Sequence, residues 1–323
     1  MKNILVLHTG GTISMHEDAA GNVVPDASNQ NPMNTVQNAI DNVKLTVEDV
    51  FNLPSPHVTL NDMLVLKQRI NRAFDDELFD GVVITHGTDT LEETAFFLDA
   101  TIKRGKPIVI TGAMRSSNEL GNDGVYNFLS SIRVAASADS RDRGVLVVMN
   151  DEIHSARYVT KTHTTNVSTF QTPTHGPLGL LTKTHILYFQ NDLETTHFDI
   201  DNVTANVPII KAYAGMTGDL FDLLDCGRLD GLVIEALGAG NLPPLAAHSL
   251  QRFLDADLPV VLVSRCFNGI AEPVYAYDGG GVKLHEAGVL FAREVNSQKA
   301  RLKLIIALNA GLSQKNLANY IEK

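Results

Sequence analysis

The sequence has few cysteines, and its histidines lack the spacing of a metal centre. Only Cys226 and Cys266 are present among 323 residues, too few for a disulfide framework or a cysteine-based metal cluster. Cys266 follows the apolar run 259–263, so we predict that its thiol is buried and inert. The 11 histidines form no HExxH pattern or other metal-ligand spacing. We therefore predict neither a metal nor another cofactor.

Long apolar segments and runs of like charge are also lacking. No stretch approaches the roughly 18 continuous apolar residues of a transmembrane helix. The chain begins without the longer apolar segment of a signal peptide, so we expect a cytoplasmic protein with no membrane partner. The formal net charge of -11 repels phosphate backbones. Nucleic acid is therefore not an expected partner, whereas a small neutral or zwitterionic substrate is compatible with this charge.

Short apolar runs predict the strands of a parallel sheet. Their β-branched content and lack of alternation are typical of strands buried on both faces. Helical patterns lie between them, for example at 91–103 and 126–138. This alternation predicts an α/β fold with a doubly wound, mostly parallel sheet in the N-terminal domain and a smaller α/β C-terminal domain. The runs are 4–7, 82–85, 107–111, 145–149, 232–236 and 260–264.

The chain length suits two domains, because single hydrophobic cores rarely exceed about 250–300 residues. An irregular stretch at 190–207 is assigned as a linker between an N-terminal domain, 1–189, and a C-terminal domain, 208–323. Within the first domain, the segment 14–34 is rich in Gly, Asp, Asn, Ser and Pro. Loops of this length are usually functional or disordered. We predict that this one is a mobile lid hinged near Thr12.

Two hydroxyl-rich turns follow predicted strands, at the sheet edge where open α/β folds bind ligands. The first is Thr9-Gly10-Gly11-Thr12, whose paired glycines let a ligand approach the backbone and leave Thr12 exposed. A tight turn with a capping threonine explains this motif equally well. A phosphate loop does not, because neither glycine-rich phosphate-binding pattern is present.

The second turn is His86-Gly87-Thr88-Asp89-Thr90, directly before a predicted helix. A capping role for Thr90 or Asp89 accounts for one oxygen and leaves the other polar groups unexplained. Asp89 suits the ammonium group of a ligand, and Thr88 is suited to attack a substrate or orient water. His86 lacks the G-x-S-x-G context of a serine hydrolase. We therefore predict that it is a structural histidine bonded to the neighbouring turn.

These turns resemble the two signatures of the bacterial-type L-asparaginase family. Thr9-Gly10-Gly11-Thr12-Ile13 resembles the first signature, and His86-Gly87-Thr88-Asp89-Thr90 resembles the second. Two threonine motifs at this separation are highly specific, and the similarity covers almost the whole chain. The resemblance implies a cytoplasmic member of the family. Further similar segments are 111–116, 144–151, 159–162, 176–179 and 296–301.

The resemblance implies an amidohydrolase that converts L-asparagine, and L-glutamine more weakly, to the acid and ammonia. Thr12 would be the nucleophile that forms an acyl-enzyme. Thr88, Asp89 and Lys161 would form a second polar group over the same substrate, in which Lys161 assists proton transfer. The backbone amides of Gly11 and Asp89 are suited to an oxyanion hole. The implied substrate contacts are Gly11, Ser55, Thr88, Asp89, Ala113 and Asn241.

The lid and the Ser55 turn depart from the family pattern. The family's lid usually carries a tyrosine that activates the nucleophile, yet the segment 14–34 contains none. His16 or a tyrosine elsewhere would have to replace it. Ser55 is followed by Pro56, where periplasmic members usually have a polar residue. The lost side-chain contact bears on the preference between asparagine and glutamine.

The family also completes its site with residues of a neighbouring subunit. Asn241 matches one such position, and Glu272 is the only glutamate in the region where the acidic partner is expected. Because sites of this kind need an intimate subunit contact, the resemblance implies a homodimer or homotetramer.

Two other roles are possible on this scaffold. The missing lid tyrosine is the only support for a non-catalytic amino-acid-binding or regulatory protein. The joint presence of Thr12, Thr88, Asp89 and Lys161 speaks against it. A subunit of a tRNA-dependent amidotransferase would need an RNA-facing or basic surface, and this acidic chain shows neither. Amide hydrolysis is therefore the leading hypothesis.

Overall fold

The computed structural model describes residues 1–25, 40–191 and 196–323. The chain divides into two compact units, Met1–His197 and Phe198–Lys323, each with its own hydrophobic core. Between Tyr188 and Ile209, the described residues form no helix or strand. The linker predicted at 190–207 falls in this interval, and its bounds stay a prediction.

The first unit is built around an eight-stranded sheet with the order β12-β11-β8-β7-β6-β5-β1-β4. The strands of this unit are β1 Lys2–His8, β2 Met15–Glu17, β3 Val23–Pro25, β4 Val43–Asp49, β5 Gly81–Thr85, β6 Ile108–Thr111, β7 Val145–Met149, β8 Glu152–Ser155, β9 Thr160–Lys161, β10 Phe170–Gln171, β11 Gly179–Leu181 and β12 Ile186–Tyr188. Strands β4, β1, β5, β6 and β7 run parallel, whereas β8, β11 and β12 continue the sheet in antiparallel pairing. The mostly parallel α/β fold is confirmed.

Helices cover the central strands of this sheet. They are α1 Leu60–Asp75, α2 Leu91–Thr101 and α3 Gly124–Ala136. Ile132 of α3 belongs to one core with Ile4 and Val83 of the sheet. Leu5 and Leu7 point to the opposite face, because side chains alternate along a strand, and they are also fully buried. Burial on both faces explains why the central strands appear in the sequence as continuous apolar runs.

Strand β4 is not among the strands predicted from the sequence. Its sequence alternates polar and apolar residues, and its side chains are half-buried or exposed because it is the edge strand beside β1. The first part of the predicted lid is also more regular than expected. Strands β2 and β3 form an antiparallel hairpin, with Met15 opposite Pro25 and Glu17 opposite Val23. The remainder of the predicted lid, 26–34, lies outside the described residues.

The second unit contains a four-stranded parallel sheet with the order β13-β14-β15-β16. Its elements are β13 Ile209–Lys211, α4 Asp219–Asp222, β14 Leu232–Ala236, α5 Pro244–Ser249, α6 Gln251–Asp255, β15 Val260–Ser264, α7 Gly281–Glu286, β16 Leu290–Phe291, α8 Ser297–Asn309 and α9 Gln314–Ile321. The Asn296 side chain caps α8 by accepting from the backbone N–H of Lys299 at 3.1 Å. Both strands predicted in this half are present, so the smaller α/β C-terminal domain is confirmed as a fold.

The prediction of a buried Cys266 is wrong, because its side chain is exposed. Strand β15 is buried up to Val263, but the chain turns out to solvent directly after Ser264. An apolar run therefore predicted burial for a residue that lies just past the end of the strand. In the described part of the chain, no helix is long and apolar enough to cross a membrane.

Candidate active site

The two hydroxyl-rich turns lie side by side because β1 and β5 are neighbours with His8 opposite Thr85. A Cβ atom added to Gly11 would lie 2.3 Å from the Cα of Gly87, so these two backbones touch. Gly11 also has a φ of 83°, which L side chains rarely adopt. Glycine is therefore required at Gly11 by both packing and backbone conformation. This contact brings the first turn against the second at the carboxyl ends of two parallel strands.

Thr12 begins a short 3-10 helix, Thr12–Ser14, and its side chain is half-buried. Its hydroxyl forms no hydrogen bond with another described residue. In the first unit, Tyr126 donates instead to Asp151 at 2.8 Å, Tyr188 bonds Ser140 at 2.8 Å, and Tyr158 stacks on His175. No tyrosine among the described residues bonds the Thr12 hydroxyl, so the group that activates Thr12 stays a prediction.

Lys161 bonds both Thr88 and Asp89, the grouping that the family resemblance implied. Its Nζ donates to Thr88 Oγ1 at 2.9 Å and to Asp89 Oδ1 at 2.7 Å. The lysine side chain is 16% exposed and the aspartate side chain 58% exposed, so the ion pair faces solvent on the side of Asp89. Strand β9 supplies this lysine through its pairing with β10, in which Lys161 lies opposite Phe170. One cation thus bridges a hydroxyl and a carboxylate.

Ser55 is buried behind the second turn. Its hydroxyl accepts from the backbone N–H of Asp89 at 3.1 Å, and its carbonyl accepts from Thr90 Oγ1 at 2.8 Å. A Cβ on Gly87 would lie 2.7 Å from the Cβ of Ser55, so the turn and the serine are in close contact. The amide of Asp89, expected in an oxyanion hole, is thus bonded to Ser55 in this structure.

Ala113 lies after β6 and is almost fully buried. The preceding Gly112 packs on the second turn, because a Cβ there would lie 2.6 Å from the carbonyl oxygen of His86 and 3.2 Å from Thr88 Cγ2. Asn241 lies in the second unit, where its Oδ1 accepts from the backbone N–H of Gly281 at 3.1 Å. Its predicted role toward the substrate stays a prediction.

Two buried histidines hold the strand ends below the turns. His86 bonds the Gly87 carbonyl through Nδ1 at 2.8 Å and Thr94 Oγ1 through Nε2 at 2.9 Å, which confirms the structural role predicted for it. His8, missed in the sequence, bonds Thr85 Oγ1 at 2.7 Å. Burial lowers the pKa of each imidazole to about 4, so both are neutral near pH 7. No group of three or more metal-ligating side chains occurs among the described residues.

Comparison with known proteins matches both units to domains of one protein family. The family model "Asparaginase, N-terminal" matches residues 3–194, and the model "Glutaminase/Asparaginase C-terminal domain" matches 206–321. The chain belongs to the asparaginase family. A probable L-asparaginase of Deinococcus radiodurans is 40% identical, with 98% of this chain and 96% of that protein covered.

Other asparaginases are similar over the same length. L-asparaginase 2 of Escherichia coli is 38% identical, with 95% of this chain and 89% of that protein covered. A solved structure of a probable cytoplasmic L-asparaginase from Campylobacter jejuni has a TM-score of 0.86 and 32% identity, and all of both chains is covered. The family resemblance stated from the motifs is confirmed.

Proposed function

We propose that the protein is an L-asparaginase that hydrolyses the side-chain amide of L-asparagine to L-aspartate and ammonia. The observation that carries this proposal is the bridge from Lys161 Nζ to Thr88 Oγ1 and Asp89 Oδ1. A hydroxyl, a proton carrier and a carboxylate are held together beside the turn that contains Thr12. Membership of the asparaginase family supports the same reaction.

In the proposed reaction, the hydroxyl oxygen of Thr12 attacks the amide carbon of the substrate. The carbon–nitrogen bond breaks as the nitrogen gains a proton and leaves as ammonia, which produces an aspartyl ester on Thr12. Water then cleaves this ester and restores the hydroxyl. Thr88 accepts a bond from Lys161, so its own hydrogen is free to point at a substrate or water. Lys161 would move a proton through this hydroxyl.

Substrate binding in this proposal uses the exposed carboxylate of Asp89 for the α-ammonium group. The Ser55 hydroxyl accepts from the backbone N–H of Asp89. In this proposal Ser55 would also contact the α-carboxylate. Gly11 and Ala113 would supply backbone contacts, and Asn241 would act from a neighbouring subunit of a homodimer or homotetramer. L-glutamine is a weaker substrate, and the proposed location is the cytoplasm.

Ammonia release from L-asparagine and L-glutamine tests the proposal. We expect activity from the wild type and from Thr184→Ala, a control in the exposed turn between β11 and β12. Thr12→Ala and Thr88→Ala should each lose about 10³-fold or more in kcat. Binding of asparagine by the wild type without ammonia release would favour the non-catalytic alternative and contradict the enzyme.

A further inference from the structure

Two polar side chains at the start of α3 bond the segment that follows β6: Asn127 in the helix and Asp123, the residue before it. Asn127, on the second turn of the helix, is 2% exposed. Its Nδ2 donates to the carbonyl oxygen of Gly112 at 3.1 Å and to Asp123 Oδ2 at 3.0 Å, and its Oδ1 accepts from the backbone N–H of Asn150 at 3.0 Å. Both amide hydrogens and the amide oxygen are therefore in use.

These bonds lie where β6 and β7 separate. The last pair of the β6–β7 ladder is Ile110 with Val147. Beyond it, the Asn127 side-chain amide bonds Gly112, the residue after β6, and Asn150, the residue after β7. The side chain thus links the two chain segments where the backbone pairing has ended. A buried amide with all of its groups satisfied fixes the backbone on both sides.

Asp123 fixes the following residues of the same segment. Its carboxylate accepts from the backbone N–H of Met114 at 3.1 Å and from that of Arg115 at 3.0 Å. Asn127 is the third donor to this carboxylate. Asn127 therefore fixes the segment 112–115 at the carbonyl of Gly112, and Asp123 fixes it at the backbone N–H groups of Met114 and Arg115.

The segment 112–115 forms one wall of the candidate site. Gly112 packs against the His86 carbonyl and the methyl group of Thr88, so a shift of this glycine changes the space beside the Thr88 hydroxyl. Displacements of about 1 Å can reduce turnover about 100-fold when they misalign reacting groups. Asn127 bonds Gly112, and Gly112 contacts Thr88, so one residue separates Asn127 from the proposed site of reaction.

We propose that Asn127, supported by Asp123, is a positioning residue for catalysis: it sets the Gly112–Ala113 peptide against Thr88. This inference builds on the proposed function, in which Thr88 acts on the substrate and the Ala113 backbone contacts it. It assigns a role in turnover to a helix residue that touches neither the substrate nor the reacting atoms.

Asn127→Asp is the sharpest substitution, because it is isosteric and keeps the oxygen that accepts from Asn150. It replaces both N–H donors with a second oxygen facing Gly112 O and Asp123. Asp123→Asn is the milder companion, which keeps one acceptor for the amides of Met114 and Arg115. Ser131→Ala is the matched control, because it removes a buried hydrogen bond of the same helix, to the carbonyl of Asn127, without changing the bonds to 112–115.

The measurement is kcat and KM for asparagine hydrolysis at a fixed interval below the Tm of each variant. We expect kcat to fall about 30- to 100-fold in Asn127→Asp and about 5- to 10-fold in Asp123→Asn, with KM within about 3-fold. Ser131→Ala should lower Tm but keep the wild-type kcat. If Asn127→Asp does not fold, the kcat of Asp123→Asn still tests the positioning role.

Equal kcat for the wild type and the folded variants, with Tm lowered as in Ser131→Ala, would overturn the positioning role while the proposed function stands. An inactive wild type would instead reject the proposed function. Amide hydrogen exchange adds an independent readout. We expect Met114 and Arg115 to exchange faster in Asp123→Asn than in Ser131→Ala, and equal protection would also count against the inference.

Discussion

The turns that carry Thr88 and Thr12 end neighbouring strands, yet their hydroxyl groups are held differently. Thr88 is bonded to Lys161, which also pairs with Asp89, and the amide of Asp89 is bonded to Ser55. Thr12 starts a short 3-10 helix, and its hydroxyl has no partner among the described residues. The hydroxyl of Thr88 is therefore held by a neighbouring side chain in this structure, whereas no described side chain holds that of Thr12.

Loss of Lys161 should have the largest effect on this comparison, because one ammonium group bridges Thr88 and Asp89. We predict that Lys161→Met lowers kcat for asparagine about 10³-fold, within the range for a lost proton carrier. The control is Lys2→Met, which removes another lysine–aspartate pair, with Asp80 at 3.1 Å, from the opposite end of β1. A kcat within 10-fold of the wild type in Lys161→Met would show that the bridge is dispensable.

Forcing the two turns apart should have the second-largest effect. Gly11→Ala places a methyl group 2.3 Å from the Cα of Gly87 and forces alanine to a φ of 83°. We expect it to lower the free energy of unfolding by about 2–4 kcal/mol and to lower activity, because both turns must move. Urea denaturation measures the stability change.

The matched control is Gly215→Ala, because Gly215 has a φ of 74° but no atom within 4 Å of the added methyl. It isolates backbone strain from the steric clash. Equal losses of stability in the two variants would mean that contact between the turns contributes nothing.

Ser55→Ala should have a smaller effect on activity. It tests whether Ser55 serves substrate binding or the chemical step. It removes the acceptor for the Asp89 amide, whereas the bridge from Lys161 remains. We predict a roughly 10-fold higher KM for asparagine with kcat changed less than about 3-fold, as for one lost hydrogen bond. Steady-state kinetics checks this split, and a fall in kcat at constant KM would reassign Ser55 to the chemical step.

The smallest expected effect concerns the buried His86 and the pH dependence of stability. The pKa of His86 is about 4 in the folded chain and about 6.5 when unfolded. The unfolded chain thus binds the extra proton first, and stability falls as pH decreases from about 6.5 to 4. The slope is at most about 1.4 kcal/mol per pH unit for this group.

His86→Gln keeps a donor and an acceptor but does not titrate. We therefore expect a flatter decline of the urea midpoint between pH 7 and 4.5 than in the wild type. Parallel declines in the two proteins would contradict the buried, neutral state of His86.

Much of the fold follows from local patterns in the sequence. The runs at 4–7 and 82–85 are continuously apolar because helices cover both sheet faces, so their assignment as buried parallel strands was predictable. Strand β4 was not, because an edge strand keeps polar residues on its exposed positions. Cys266 was misassigned for a related reason: burial depends on where the strand ends, which an apolar run does not specify.

The candidate site was predictable where motif residues act on one another. Thr88 and Lys161 lie 73 residues apart in the chain, yet both were named from their motifs. The structure brings them together with Asp89. Asn127 and His8 were missed, because their roles depend on which strand ends they meet in three dimensions. The bonds of Asn127 follow from where the β6–β7 pairing ends and from the placement of α3 beside it.

Peptide mapping after acid quenching of asparagine turnover tests the central claim, that Thr12 is the nucleophile and Thr88 with Lys161 serves it. We expect an aspartyl ester on the peptide that contains Thr12 in the wild type, and no ester when Thr12→Ala is treated in the same way. An aspartyl ester on Thr88 instead would contradict the assignment of the two turns.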